Sequence, residues 1–219
     1  MYRYYEKGER EDGRRVRIPK RVALAAEQLR VGSRAVSPRR IEKGTLEDVL
    51  AAIGAHLPER MTICVVGSAA AILLGQPQRQ TPDIDIWEPE SDFDVGALRR
   101  ACEQAGLLYD PKGEIDPDAI YLQILRPGIT MFPDRFPVER IGRFGKLTVV
   151  MPLPSMIVAT KLARALDSDI EDAAWWMRQR NLSVDAIESA IDQIPQPENR
   201  TAARENLVLV QLAATGPKP

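Results

Sequence analysis

The stretch that decides the fold reads Met61-Thr62-Ile63-Cys64-Val65-Val66-Gly67-Ser68-Ala69-Ala70-Ala71-Ile72-Leu73-Leu74-Gly75 and then, after a polar break, Asp83-Ile84-Asp85-Ile86-Trp87. Residues 61–66 are few, apolar on both faces and rich in β-branched side chains, which predicts a strand buried on both sides. Gly67-Ser68 interrupts that run. The Ala-, Ile- and Leu-rich residues 69–74 before Gly75 then predict a helix closed by a glycine. Polar residues 76–82 form a loop. Residues 83–87 alternate polar and apolar with period two, so they predict a half-buried strand with Asp83 and Asp85 on one face.

Working outward, Thr45 with Asp48 three residues on resembles a capping box, and Leu46, Val49, Leu50, Ile53 and Leu57 repeat at helical spacing, predicting a helix over 45–56 that stops before Pro58. Val95–Ala105 reads as a helix with Gly106 as its cap. Residues 119–125 and 146–151 read as strands separated by a Pro- and Gly-containing loop around 126–137. Beyond Pro154 the period turns helical, and four helices are expected near 155–166, 169–179, 184–193 and 200–213. The expected class is α/β, more narrowly α+β. It comprises a basic N-terminal arm over 1–43, partly flexible, then a core of small mixed β-sheet with flanking helices over 44–153, and a helical C-terminal region over 154–214.

The chain has 219 residues, 44% hydrophobic and 28% charged, which suits one generous core and is too charged for a membrane protein. No apolar stretch reaches the roughly 20 residues that cross a bilayer. The N-terminus runs into charge rather than an apolar segment, so no secretory signal is read and the cytoplasm is the expected compartment. Cys64 and Cys102 are expected as buried thiols rather than a bridge. Overall charge is balanced at −1, yet residues 1–43 hold 13 basic and 6 acidic residues against 17 and 25 in the remainder. The arm, with Tyr2, Tyr4 and Tyr5 among its arginines, is read as a solvated or partner-bound tail ahead of a nucleic-acid contact, because Glu6, Glu9, Glu11 and Asp12 dilute its charge.

The chemistry lies in the order Val66-Gly67-Ser68, then Asp83-Ile84-Asp85. A strand ending in Gly-Ser offers backbone N–H groups and a hydroxyl with no bulky side chain in the way, so a phosphate can approach. Two aspartates on one face of a neighbouring strand suit Mg²⁺, a hard cation that takes carboxylate oxygens and keeps other positions for water and phosphate. In this order these features resemble the nucleotidyltransferase superfamily related to DNA polymerase beta. More narrowly, Val65–Gly75 with Arg79-Gln80-Thr81-Pro82-Asp83-Ile84-Asp85-Ile86 is similar to the small bacterial AbiEii-type nucleotidyltransferases, toxin partners in toxin–antitoxin systems. The later Ile157–Arg164 and Asp169-Ile170-Glu171-Asp172 resemble a second motif of that group. The resemblance implies Gly67 and Ser68 as the triphosphate turn, Asp83 and Asp85 as catalytic Mg²⁺ (or Mn²⁺) ligands, and Lys161 as a phosphate contact, with Arg79 and Thr81 beside the metal strand. It further implies NTP as donor, an RNA (tRNA included) or protein hydroxyl as acceptor, and an antitoxin as partner.

One departure stands out. Members usually carry a third carboxylate on a later strand, where this chain has Gln123, and an amide neither takes a proton nor offsets a second Mg²⁺. Either Asp116 or Asp118 substitutes, or Glu139 reaches in from a later segment, or the activity is weak or lost. Blander readings stand beside the sharper ones. Lys161 and Arg164 fit the exposed face of an amphipathic helix, with Asp169 and Asp172 capping the next. His56, the only histidine, has no partner that would make it a zinc ligand. Trp175-Trp176 reads as helix packing rather than base stacking.

Overall fold

The structure is a computed structural model that describes residues 41–215, apart from Pro82, Glu114, Pro117, Asp118 and Ile129, and apart from the side chains of 212–215. The arm expected over 1–43 therefore lies outside the described residues except for its last three positions. Helix α1 (Lys43–His56) buries Leu46, Leu50 and Ile53, positions spaced to face one side, and ends before Pro58 as its sequence predicts. Its start differs from the expectation. The helix opens two residues ahead of Thr45, and Glu42 at its N-cap makes no side-chain cap bond, so the Thr45/Asp48 capping box does not form.

Strand β1 (Met61–Cys64), helix α2 (Gly67–Leu73) and strand β2 (Asp83–Trp87) follow in the expected order. Gly67 and Gly75 take φ of +66° and +85°, left-handed values that suit glycine at both ends of α2. Every residue from Ala69 to Leu73 is buried, so α2 is a core helix without a polar face. Helix α3 (Val95–Gln104) is capped by Asp94, whose carboxylate accepts from the Ala97 N–H at 2.6 Å, and the chain turns at Gly106 with φ +79°.

Strands β3 (Leu108–Tyr109), β4 (Tyr121–Leu125), β5 (Val138–Phe144) and β6 (Leu147–Pro152) complete two three-stranded sheets, ordered β1-β6-β5 and β2-β4-β3. Pairing is parallel except between β5 and β6. An antiparallel bridge between Val65 and Ile86 joins the sheets side by side. β3 and β5 were not among the expected strands. β3 has only two residues, and β5 carries Glu139, Arg140 and Arg143 without a period of two, with a register shift between Arg140 and Gly142 that breaks its pattern. Gly54 of α1 supports the β5–β6 hairpin, since a Cβ there would stand 1.8 Å from the Phe144 carbonyl oxygen.

The C-terminal region holds four helices, as expected: α4 (Pro154–Arg164), α5 (Asp167–Arg180), α6 (Val184–Ile191) and α7 (Pro197–Thr215). Helices α4 and α5 end on Ala165 and Asn181, each with φ +48°. α4 packs against α5, α6 and α7, and Asn206 of α7 donates to the Leu162 carbonyl at 3.0 Å. Trp176 is fully buried and meets the half-buried Trp175 edge-on at 4.9 Å, so the pair is packing between helices. Both cysteines are free and buried. Among the described residues no helix is long and apolar enough to cross a membrane.

Candidate active site

The site is built where the two sheets meet. The Val66 N–H donates to the Asp85 carbonyl at 2.9 Å, while the Val65 N–H donates to Val150 on the other side, so the chain leaving β1 is stitched against β2 just before it bends. A Cβ added at Gly67 would stand 3.1 Å from Asp85 Oδ2. The small-residue bend and the second carboxylate of Asp-x-Asp are thus neighbours across a crevice, and glycine is the residue that leaves room between them.

Asp83 and Asp85 lie on one face of β2, as period two requires, while Ile84 and Ile86 are buried on the other. Asp83 Oδ1 accepts from the Thr81 hydroxyl at 2.6 Å, and Tyr121 of β4 donates to Oδ2 at 3.3 Å. Thr81 is held by paired backbone bonds to Ile41, at 2.8 and 3.3 Å. Burial, and then the charge of Asp83, push Asp85 up to about 7 from an ordinary 3.8, with Arg164 pulling the other way. Burial and the Asp83 carboxylate likewise raise the Tyr121 phenol.

A cavity of about 220 Å³ opens beside this bend. Gly67, Asp85, Lys161 and Arg164 form its polar side. It is also lined by Leu125 and the loop residues Met131 and Phe132. That loop is pinned by an aromatic cluster, with Trp87 5.8 Å from Phe132 and 6.3 Å from Phe136, and by the Phe136 N–H donating to Glu90 at 3.2 Å.

Helical spacing explains the charged side. Lys161 and Arg164 are three apart on α4, Asp169 and Asp172 three apart on α5, so each pair shares a face and the two faces meet across the short turn. Lys161 Nζ donates to Asp172 at 2.6 Å and to Asp169 at 3.3 Å, and Arg164 grips Asp169 through Nε and Nη2, both at 2.6 Å. Burial would raise Asp169, yet the Arg164 and Lys161 contacts hold it below its ordinary value. Asp169 also accepts from the Leu166 N–H at 3.3 Å, which makes it a cap of α5. Lys161 is 5% exposed, so it does not belong to a solvated helix face.

Of the residues proposed from the sequence, the cavity brings Gly67, Asp85 and Lys161 together, while Asp83, Thr81, Ser68 and Arg79 are not among its lining residues. Arg79 reaches from the loop before β2 to donate to the Ser68 hydroxyl at 2.8 Å, and the same nitrogen lies 3.0 Å from Asp172. Gln76 donates to the other Asp172 oxygen at 2.7 Å. Gln123 pairs in parallel register with Asp85, so it occupies the neighbouring place on the same face. Glu139 is turned away in an ion pair with Arg180, and Asp116 is not among the residues lining the cavity. Asp118 lies outside the described residues. No cluster of three or more His, Cys, Asp or Glu side chains suited to a metal occurs among the described residues.

A family model described as nucleotidyltransferase of unknown function (DUF6036) matches residues 45–208. The chain belongs to this family. The match runs from α1 through most of α7, so the sheets and the C-terminal helices are both parts of this nucleotidyltransferase unit. It supports the superfamily-level resemblance, and the narrower likeness to the AbiEii type gains nothing from it. No curated protein and no solved structure matches the chain.

Proposed function

We propose that this nucleotidyltransferase transfers a nucleoside monophosphate from an NTP to a hydroxyl of an RNA, such as a tRNA, or of a protein, in the cytoplasm and with Mg²⁺ (or Mn²⁺). The observation that carries the reading is Asp85 lying directly across from the Gly67 bend, in a cavity that Lys161 and Arg164 also line. The donor set fits one Mg²⁺: two carboxylates on one face, with Asp85 raised because burial and Asp83 leave it short of positive charge. Asp83 and Asp85 would hold the ion, which when bound neutralises charge developing on the phosphates.

The chain's own residues supply the rest. Thr81 and Tyr121 orient Asp83, so the pair presents its oxygens without a search through rotamers. Gly67 leaves the bend open to a phosphate, and Arg79 fixes the Ser68 hydroxyl beside it. Leu125, Met131 and Phe132 give the cleft an apolar part to its lining. By its resemblance to the AbiEii type, the chain is further proposed as a toxin–antitoxin component with an antitoxin partner.

A second reading, a silent nucleotide-binding or protein-interaction module with the same fold, is favoured by one observation: Gln123 stands in register with Asp85 where an acid would complete the site. Incubating the protein with each labelled NTP, Mg²⁺ or Mn²⁺, and total RNA or protein separates the two. Label transfer that disappears in Asp83→Ala and Asp85→Ala supports the enzyme. NTP binding without transfer supports the silent module.

A further inference from the structure

Lys161 and Arg164 both line the cavity, and the structure treats them differently. Around the Asp169 and Asp172 carboxylates stand three cations, Arg79, Lys161 and Arg164, so the cluster carries one positive charge beyond what its carboxylates cancel. That surplus has to be presented somewhere. Lys161 is buried, with its ammonium shared between both carboxylates. The Arg79 side chain is 25% exposed and bound to Ser68 and Asp172, whereas the Arg164 side chain is 57% exposed.

Arg164 also has the geometry to use its charge. Its Nε and Nη2 are committed to Asp169, which fixes the plane of the guanidinium, and Nη1 makes no hydrogen bond among the described residues. A guanidinium anchored by one edge is pre-organised to receive an anion on the other, at little further cost in side-chain entropy. It lines the same cavity as Asp85 and stands close enough for its charge to be felt there.

We infer that Arg164 is the cation that binds the polyphosphate of the incoming nucleotide, while Lys161, Asp169 and Asp172 are the buried anchor that aims it. The inference rests on the proposed nucleotidyltransferase reading and deepens it: the cleft selects nucleoside triphosphates over monophosphates through one anchored arginine. Lys161, for which the family resemblance implies a phosphate contact, becomes a positioning residue.

Calorimetric titration tests this with the full chain, Mg²⁺, and each of ATP, CTP, GTP and UTP beside the matching monophosphate and nucleoside. The wild-type protein is expected to bind at least one triphosphate more tightly than its monophosphate. Arg164→Gln should reduce triphosphate affinity about 10- to 100-fold, as loss of charge-assisted bonds does, and leave the nucleoside unchanged. A merely structural effect would weaken nucleoside and triphosphate alike, and that result overturns the inference. Arg164→Lys provides the same comparison in a variant that keeps the charge. It cannot grip Asp169 by two nitrogens and face the cleft with a third, so a smaller loss is expected. A wild-type triphosphate-to-monophosphate ratio in Arg164→Gln overturns the inference and leaves the nucleotidyltransferase reading standing. Failure of the wild-type protein to bind any triphosphate overturns both.

Discussion

Asp85 places a measurable burden on the fold, and Asp85→Asn removes it. Burial, and then the neighbouring Asp83, raise its acid to about 7 from an ordinary 3.8. The folded protein therefore keeps a proton that the unfolded chain has already lost, so stability present below pH 4 is lost as pH rises toward 7. Integrating over the two titrations, the ionisable side chain costs about 2 kcal/mol at pH 5 and about 4 kcal/mol at pH 8, a widening of about 2–3 kcal/mol. An asparagine has the same shape and no charge to bury. Urea unfolding without divalent cations, followed by tryptophan fluorescence, should show Asp85→Asn gaining over the wild type by that amount between the two pH values. Comparing differences cancels whatever the amide itself contributes. Saturating Mg²⁺ at pH 8 should recover stability in the wild type and do little in the variant. If the advantage of Asp85→Asn is the same at pH 5 and pH 8, the carboxylate is not held in the desolvated, charge-crowded position described and the reasoning fails.

Two further outcomes are expected. Lys161→Met strips a buried ammonium from two buried carboxylates, and because Arg164 and Arg79 remain on Asp169 and Asp172, the loss should sit near the lower end for a broken buried pair, about 3 kcal/mol by urea unfolding; a loss under about 1 kcal/mol would refute the anchoring role assigned to it. Gln123→Glu sets a third carboxylate beside Asp85, so without cations at pH 8 it should cost about 1–3 kcal/mol in like-charge repulsion and lower the Mg²⁺ concentration needed to restore stability. Unchanged Mg²⁺ dependence would show that position 123 does not face the metal pair.

Local pattern carries far in this chain where one element satisfies itself. β1, α2 and β2 follow in order from a doubly apolar run, a glycine bend and strict alternation, although β1 ends at Cys64 and α2 already opens at Gly67. α1 opens at Lys43, so Thr45 and Asp48, a capping signal worth about 1 kcal/mol, fall inside the helix instead of at its start. β5 was illegible for a different reason: its pairing with β6 supplies the stability, while Arg140 and Arg143 point to solvent and the shift at Gly142 interrupts the period. Its presence depends on a partner strand, and no window of its own sequence contains that partner.

The site divides along the same line. That Asp83 and Asp85 share a face is a property of one strand, and it was readable. That Asp85 abuts Gly67 depends on the Val66 to Asp85 bond between two elements, which only the family resemblance anticipated. The basic side of the cleft was least legible, because a Lys or Arg at helical spacing is indistinguishable in sequence from a solvated helix face. What separates the two is whether the facing helix offers carboxylates at matching spacing, and here it does. Lys161 and Arg164 meet Asp169 and Asp172 over a turn of two residues, Ala165 and Leu166, too short to let the helices part. Two acids three apart, directly after two bases three apart and separated by so short a turn, therefore predict a closed ion cluster. In such a cluster burial decides the division of labour: the base nearer the interior is spent on structure, and the one at the rim retains charge for a ligand.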